Sequence, residues 1–519
     1  MIITDFLERN ARLYGGECAL VEINPSEERD KATTWWDFNL IESASDAPYR
    51  RELSWKDFDR RANRFANLLL SRGLKKGTKV AILLMNCLEW LPIYFGILKA
   101  GCIAVPMNFR YSSDEIKYCL ELADVEVLIF GPEFVSRMDA IANEIPGVRM
   151  CFYVGQDGPG YTEDGIRLMG FCSSSHPPIA LEEEDHAAIY FSSGTTGFPK
   201  AILHKHRSLL HACRTEANHH SQTREDVFLC IPPLYHTGAK MHWFGSLLSG
   251  SKAVLLRGVK PEWILRSVTE EKCTIVWLLV PWAQDLLDAI DAGLDMSRFR
   301  LDQWRLMHVG AQPVPPSLIR RWKKVFPGHQ YDTNYGLSES IGPGCVHLGV
   351  ENIHKVGAIG KPGFGWETRI VDDRGTDVAP GEVLKGEWLF TGDMAREDED
   401  GFIYLVDRKK DVVISGGENI YPVQIEDFLR SNPKIKDVAV IGLPDARLGE
   451  ITAAIIEVKE GAELTEDEVN TFCRTLPRYK RPRKIFFDQV PRNPTGKIEK
   501  PVLRERYCHG RLVEVQITG

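Results

Sequence analysis

Between residues 57 and 154 short apolar runs alternate with segments of helical period, and this alternation limits the possible folds more than any single motif does. Over 57–72, Phe58, Ala62, Phe65, Leu68 and Leu69 recur at helical spacing. Runs at 79–84, 102–105, 125–129 and 150–154 are short enough to read as strands, with a second helix at 91–99. Strands that pass repeatedly into helices bury both element types in a doubly wound α/β sheet. A chain of 519 residues exceeds one hydrophobic core, so two or more domains are expected.

The pattern changes after residue 361. Short strands at 368–371, 388–391 and 402–406, separated by Gly and Asp turns, predict a small β-barrel-like subdomain at about 362–407. Strands at 438–442 and 452–458 and a helix at 465–476 predict a compact α+β unit. Between them lies DRKKD at 407–411, with no apolar anchor, which reads as a solvated linker or a hinge. The expected architecture is a large N-terminal α/β domain over 1–407, a hinge at 408–411, and a small mobile C-terminal domain over 412–519.

Composition excludes several classes. A net charge of −8 argues against nucleic-acid binding. The 12 cysteines occur singly, with no C-x-x-C pair, so neither a disulfide framework nor a structural zinc site built on cysteine is expected, and a reducing cytoplasm fits. The N-terminus turns acidic at Asp5 and does not read as a secretory signal. The apolar stretch 80–107 is broken by Asn86, Glu89 and Lys99, which argues against a membrane span.

The chemistry concentrates in SSGTTGFPK at 192–200, directly after an expected strand at 187–191. Gly194 and Gly197 let the backbone approach an anion closely. Ser192, Ser193, Thr195 and Thr196 supply hydroxyl donors and Lys200 a cation, a composition suited to polyphosphate. The Walker A spacing is absent. By itself the segment is also a plausible flexible turn.

This nonapeptide resembles the signature loop of the adenylate-forming superfamily, which includes acyl- and aryl-CoA ligases, and the resemblance extends over nearly the whole chain in the family's motif order. PPLYHTG at 232–238 resembles the second landmark and implies that His236 is the aromatic gate beside the acyl-adenylate. VGAQP at 309–313 resembles the segment packed against adenine, bringing in Gly310, Ala311 and Gln312. In NYGLSE at 334–339, alongside Asn334 and Gly336, the resemblance implies that Tyr335 stacks on adenine, Ser338 contacts the α-phosphate and Glu339 holds Mg²⁺. FTGD at 390–393 supplies Asp393 for the ribose hydroxyls, with Arg408 reaching the same sugar. Lys410 matches the hinge, Gly416 and Gly417 the thioester-forming channel, and Lys497 the lysine that serves the reacting carboxylate. Lys497, Thr195, Glu339 and His236 are thereby implied as catalytic.

The resemblance implies ATP, Mg²⁺ and coenzyme A as cofactor and co-substrates, and a small carboxylic acid as substrate. No acid occupies the second landmark, which disfavours amino acids, and no carrier domain is expected after Lys497. Loading of a separate carrier protein and a catalytically silent nucleotide-binding homologue stay open as alternatives. The acyl pocket is expected to draw on His236, Met241, His242, Trp243 and Val309, while Lys240 and His242, the polar positions of the segment, either face solvent or meet a second polar group on the substrate. The bulk of Val309 favours a short, cyclic or aromatic acid over a long chain.

Two departures stand out. An apparent insertion at 24–47 carries Trp35, Trp36 and Phe38 and reads as an ordered surface loop or as the contact of a homodimer. The stretch between Glu382 and Trp388 is shorter than in the family, which implies a missing loop or a truncated subdomain.

Overall fold

The computed structural model describes residues 1–25, 49–155, 157–192, 199–310, 314–347, 354–370, 391–415, 418–493 and 497–508. Two seven-stranded sheets carry the N-terminal part. In order across the first lie Gln330–Asp332, Leu306–Gly310, Ile275–Leu279, Val227–Cys230, Lys252–Leu256, Cys18–Ile23 and Arg50–Ser54. The second runs Glu163–Asp164, Met150–Tyr153, Val127–Phe130, Lys79–Leu83, Ile103–Pro106, His186–Ser192 and Lys200–Lys205. Each sheet is parallel except for one antiparallel pair at its edge. Continuous apolar runs such as IVWLL at Ile275–Leu279 are buried throughout, as strands covered on both faces require.

One core lies between the sheets. The helix Trp90–Lys99 is buried all round, and Phe95 meets Phe58 on Trp55–Ser71 and Trp243 on Thr237–Ser249. Its one charge, Lys99, is held by Glu8 (2.7 Å) and Asp59 (2.8 Å). The outer face of the first sheet is covered by Pro261–Glu271, Val280–Asp291 and Pro316–Val325, and that of the second by Ser113–Leu122. The doubly wound expectation holds, with most element ends within two residues of those read from the sequence.

The small β subdomain combines Asn334–Gly336, Pro343–Val346 and Lys361–Pro362 with the hairpin Asp393–Glu397 and Ile403–Arg408. Of its three expected short strands only the last is seen among the described residues. Residues 368–370 have no described strand partner, and 371–390, including the shortened stretch, lie outside the described residues, as does most of the insertion. The C-terminal part pairs Ile435–Asp445 with Gly449–Val458, flanked by Lys484–Phe487, Val413–Ser415 and Glu418–Ile420, and packs Pro422–Arg430 and Glu466–Phe472 on one face. The expected helix 465–476 is shorter: it leaves α geometry at Cys473 for a 3₁₀ turn.

The segment 407–411 corrects the expectation of a fully solvated linker. Asp407 is buried, accepts from the Val423 N–H at 3.1 Å, and has its pKa raised by that burial. Asp411 pairs with Arg504 at 2.7 Å. All 12 cysteines are unpaired, and no described helix is long and apolar enough to cross a membrane.

Candidate active site

The glycine-rich segment joins two antiparallel strands. Ser192 ends His186–Ser192 and pairs with Lys200, which begins the antiparallel edge strand Lys200–Lys205. Ser193, Gly194, Thr195, Thr196 and Gly197 themselves lie outside the described residues. Four residues further along, the buried His204 ring meets the Ser338 carbonyl through Nε2 at 2.9 Å. That contact ties the return strand to the turn carrying Ser338 and Glu339. Sequence reasoning missed His204, which has no motif of its own.

Tyr335 and Asp393 come together across 58 residues of chain. The Tyr335 hydroxyl donates to Asp393 Oδ2 at 2.5 Å, and Arg408 Nε sits 2.9 Å from Asp393 Oδ1. Burial, and then the Asp393 charge, pushes the Tyr335 phenol pKa up, so the hydroxyl stays a donor. Gly336 is dictated locally: a Cβ there would come 2.3 Å from the Gly342 carbonyl oxygen, where the hairpin strands close tightly.

Lys497, on the C-terminal part, is exposed as a residue and feels the charges of this corner. Loss of water and then the Arg408 charge lower its pKa, while Asp393 and Glu339 pull it back up. Glu339 is exposed, with no hydrogen bond or ion pair among the described residues. Lys410 is exposed in the turn after Ile403–Arg408. Gly416 and Gly417 are outside the described residues.

The second cluster is buried in the first sheet. His236 caps the helix Thr237–Ser249, its Nδ1 accepting from the Gly238 N–H at 3.2 Å. A Cβ on Gly238 would meet the Trp277 ring at 2.7 Å, so the helix start rests on that indole. A Cβ on Gly310 would meet nothing nearer than His308 Nε2 at 3.7 Å. Packing therefore does not demand this glycine, and the space it leaves suits a ligand. Ala311 and Gln312 lie outside the described residues, as do the side chains of Lys240, Met241 and His242.

Two acyl-pocket expectations need correction. Strand residues alternate faces, so Val309 points into the outer core with Met307, away from Gly310 and Trp277. Trp243 packs its ring on Phe58 (5.8 Å) and Phe95 (5.6 Å) in the core between the sheets. Trp277 was missed: inside an all-apolar strand it reads as one more core residue.

The fold and these paired clusters define an adenylate-forming enzyme. The AMP-binding enzyme model matches residues 37–395, and the model of that enzyme's C-terminal domain matches 424–497. The chain is 32% identical over 476 residues to the long-chain-fatty-acid–CoA ligase FadD13 of Mycobacterium tuberculosis, spanning 86% of this chain and 91% of that protein. It is 30% identical to a feruloyl-CoA synthase of Amycolatopsis over 483 residues, spanning 88% and 94%. Among solved structures, the anthranilate CoA ligase AuaEII in complex with anthranoyl-AMP superposes with a TM-score of 0.84 at 25% identity, covering 98% of this chain and 97% of that one. The ATP-bound MatB of Rhodopseudomonas palustris gives 0.81 at 25% identity, covering 98% and 99%. The chain belongs to the AMP-binding enzyme family, among its AMP-forming acid–CoA ligases.

Proposed function

We propose that this protein activates a carboxylic acid with MgATP and transfers the acyl group to coenzyme A. The observation that carries the reading is the Tyr335–Asp393–Arg408 cluster, whose charges, with that of Glu339, act on Lys497 of the C-terminal part. The glycine-rich segment (Ser192 to Lys200) holds the pyrophosphate end of ATP. Tyr335 and Gly310 bracket the adenine, Asn334 and Gly336 hold the Tyr335 strand in place, and Asp393 with Arg408 takes the ribose. Glu339, an exposed carboxylate, fits as the protein ligand of Mg²⁺, which needs few carboxylates beside phosphate oxygens and water and would offset phosphate charge.

In the first half-reaction a substrate carboxylate oxygen bonds to the α-phosphorus and the bond to pyrophosphate breaks. The Lys497 ammonium offsets charge on the carboxylate and α-phosphate oxygens, with Ser338 and Thr195 beside them. The C-terminal part then turns about Lys410 and withdraws Lys497. In the second half-reaction the thiol sulfur of coenzyme A, entering past Gly416 and Gly417, bonds to the acyl carbon. The bond to AMP breaks and the thiol proton leaves to solvent.

His236 borders the acyl end, and Trp277, against Gly238, limits its depth. This supports a short, cyclic or aromatic acid. The test is a screen of benzoate-type, cyclic, short and long acids for pyrophosphate release, with coenzyme A or a pantetheinylated carrier protein as acceptor. Fastest coenzyme A-dependent turnover with ring or short acids is expected. Best turnover of long-chain acids overturns the substrate class, carrier-only transfer overturns the acceptor, and no release with any acid overturns the activity.

A further inference from the structure

Beneath the nucleotide corner lies a group of ionisable side chains that the proposed reaction does not use. The helix His206–His219 ends in His219 and His220, the strand Leu306–Gly310 contributes His308, and Gln330–Asp332 contributes Asp332. Their side chains are at most 2% exposed, and Glu216, one turn back on the helix, is fully buried. We propose that His220, His308 and Asp332 form a buried binding site for a divalent transition-metal ion, most suited to Zn²⁺, with Glu216 supporting it from behind and His219 held against Asp332 beside it.

The geometry carries this. His220 Nε2 stands 3.2 Å from His308 Nδ1 and 3.3 Å from Asp332 Oδ2, and His308 Nδ1 is 3.7 Å from the same oxygen. Four ligands at about 2.05 Å from a tetrahedral ion are separated by edges of roughly 3.3 Å. The triangle already has those dimensions before any ion is considered. His219 Nε2 closes on the same Asp332 oxygen, yet neither atom makes a hydrogen bond of acceptable geometry. The His220 and His308 ring centres are 5.0 Å apart, close to the roughly 5 Å expected when two imidazoles bind one tetrahedral ion.

The surroundings agree. Glu216 Oε2 lies 3.6 Å from His220 Nδ1, the nitrogen facing away from the triangle, and Asn334 Nδ2 fixes Glu216 Oε1 at 3.0 Å. A carboxylate behind a ligating imidazole is the usual arrangement for orienting it. Asp332 and Glu216 also place two carboxylates where water is excluded, a cost that a divalent cation offsets in full. Imidazoles beside one carboxylate favour zinc over magnesium or calcium. The three ligands are buried away from the nucleotide corner, so the role assigned to the ion is structural. It would pin the helix end, two strands and, through Glu216, Asn334 under the adenine platform.

The test uses the full chain without an affinity tag. Metal content is measured by mass spectrometry as purified, after chelation, and after titration with Co²⁺ followed by visible absorption. One ion per chain with the intense bands of tetrahedral cobalt is expected, with a thermal midpoint that falls on chelation. Asp332→Asn and His220→Asn should abolish uptake, and Glu216→Gln should weaken it about 10–100-fold. Wild-type protein that takes up no tetrahedral Co²⁺ overturns the site and leaves a proton-sharing His–Asp network. Thiolate-to-cobalt bands, or wild-type uptake by both variants, would place the ion elsewhere and equally overturn it. The wild-type measurement decides even if a variant fails to fold.

Discussion

The proposed nucleotide corner and the proposed acyl end are built on opposite principles. The corner uses charged groups on hairpins and turns: Asp393 held by Tyr335 and Arg408, the exposed Glu339, and Lys497 from a different part of the chain. The acyl end uses the interior of a parallel sheet, where His236, Gly238 and Trp277 are fixed by close packing. A charged group on a turn can be assembled and withdrawn during a reaction. A buried ring cannot move without disturbing a close-packed core. In the proposed reaction the charged corner carries the chemistry and the packed end the selectivity.

The largest expected effect tests the packed end. Trp243→Ala should cost about 3–5 kcal/mol of stability, because it empties the core between Phe58 and Phe95, and should leave acid preference unchanged. Trp277→Ala should instead broaden the preference toward longer acids, by about 1–3 kcal/mol in relative kcat/KM. Denaturant unfolding beside an acid screen separates the two, and exchanged outcomes would reverse which tryptophan faces the pocket.

At the charged corner, Lys497→Ala should lower acid-dependent ATP–pyrophosphate exchange about 10²–10³-fold while thioester formation from supplied acyl-AMP largely persists. Equal loss of both steps would remove the assigned role. Asp393→Asn should raise KM for ATP about 10–100-fold, as expected for losing a charged hydrogen-bond partner, with a smaller rise for Tyr335→Phe.

The pH dependence of the two half-reactions sharpens the same division. Loss of water and the Arg408 charge lower the Lys497 pKa, and the working form is the ammonium. Adenylation should therefore fall with rising pH at values below the ordinary lysine range, while thioesterification of supplied acyl-AMP does not follow that limb. The smallest effect lies outside both regions. Burial holds His206 and His329 down at about 4. As pH falls below about 6.5 the unfolded chain takes up protons that these folded imidazoles refuse until about 4, so stability should decline across that window. Thermal melts of wild type and His206→Asn between those limits measure the contribution.

The motifs made the polar corner legible. Tyr335, Asp393, Arg408 and Lys497 stand at recognisable positions because each short segment carries its own turn chemistry, and the structure brings the first three into contact. Val309 and Trp243 were misjudged because a motif names neighbours along the chain, whereas a pocket is made of residues on one face. In the strand Leu306–Gly310 adjacent side chains point to opposite sides of the sheet. His220, His308 and Asp332 were invisible as a group, since 88 residues separate the first two and no spacing rule spans that distance.

The sequence alone determined the alternation of strands and helices, the glycine-rich segment after its strand and the order of charged landmarks, because these follow from local period and turn chemistry. Only the tertiary structure decided that Trp277 rather than Val309 faces the helix start at Gly238, that Tyr335 and Arg408 both reach Asp393, and that His220, His308 and Asp332 converge in the interior. Those outcomes depend on which strands lie side by side and which face each side chain takes, and long-range packing fixes both.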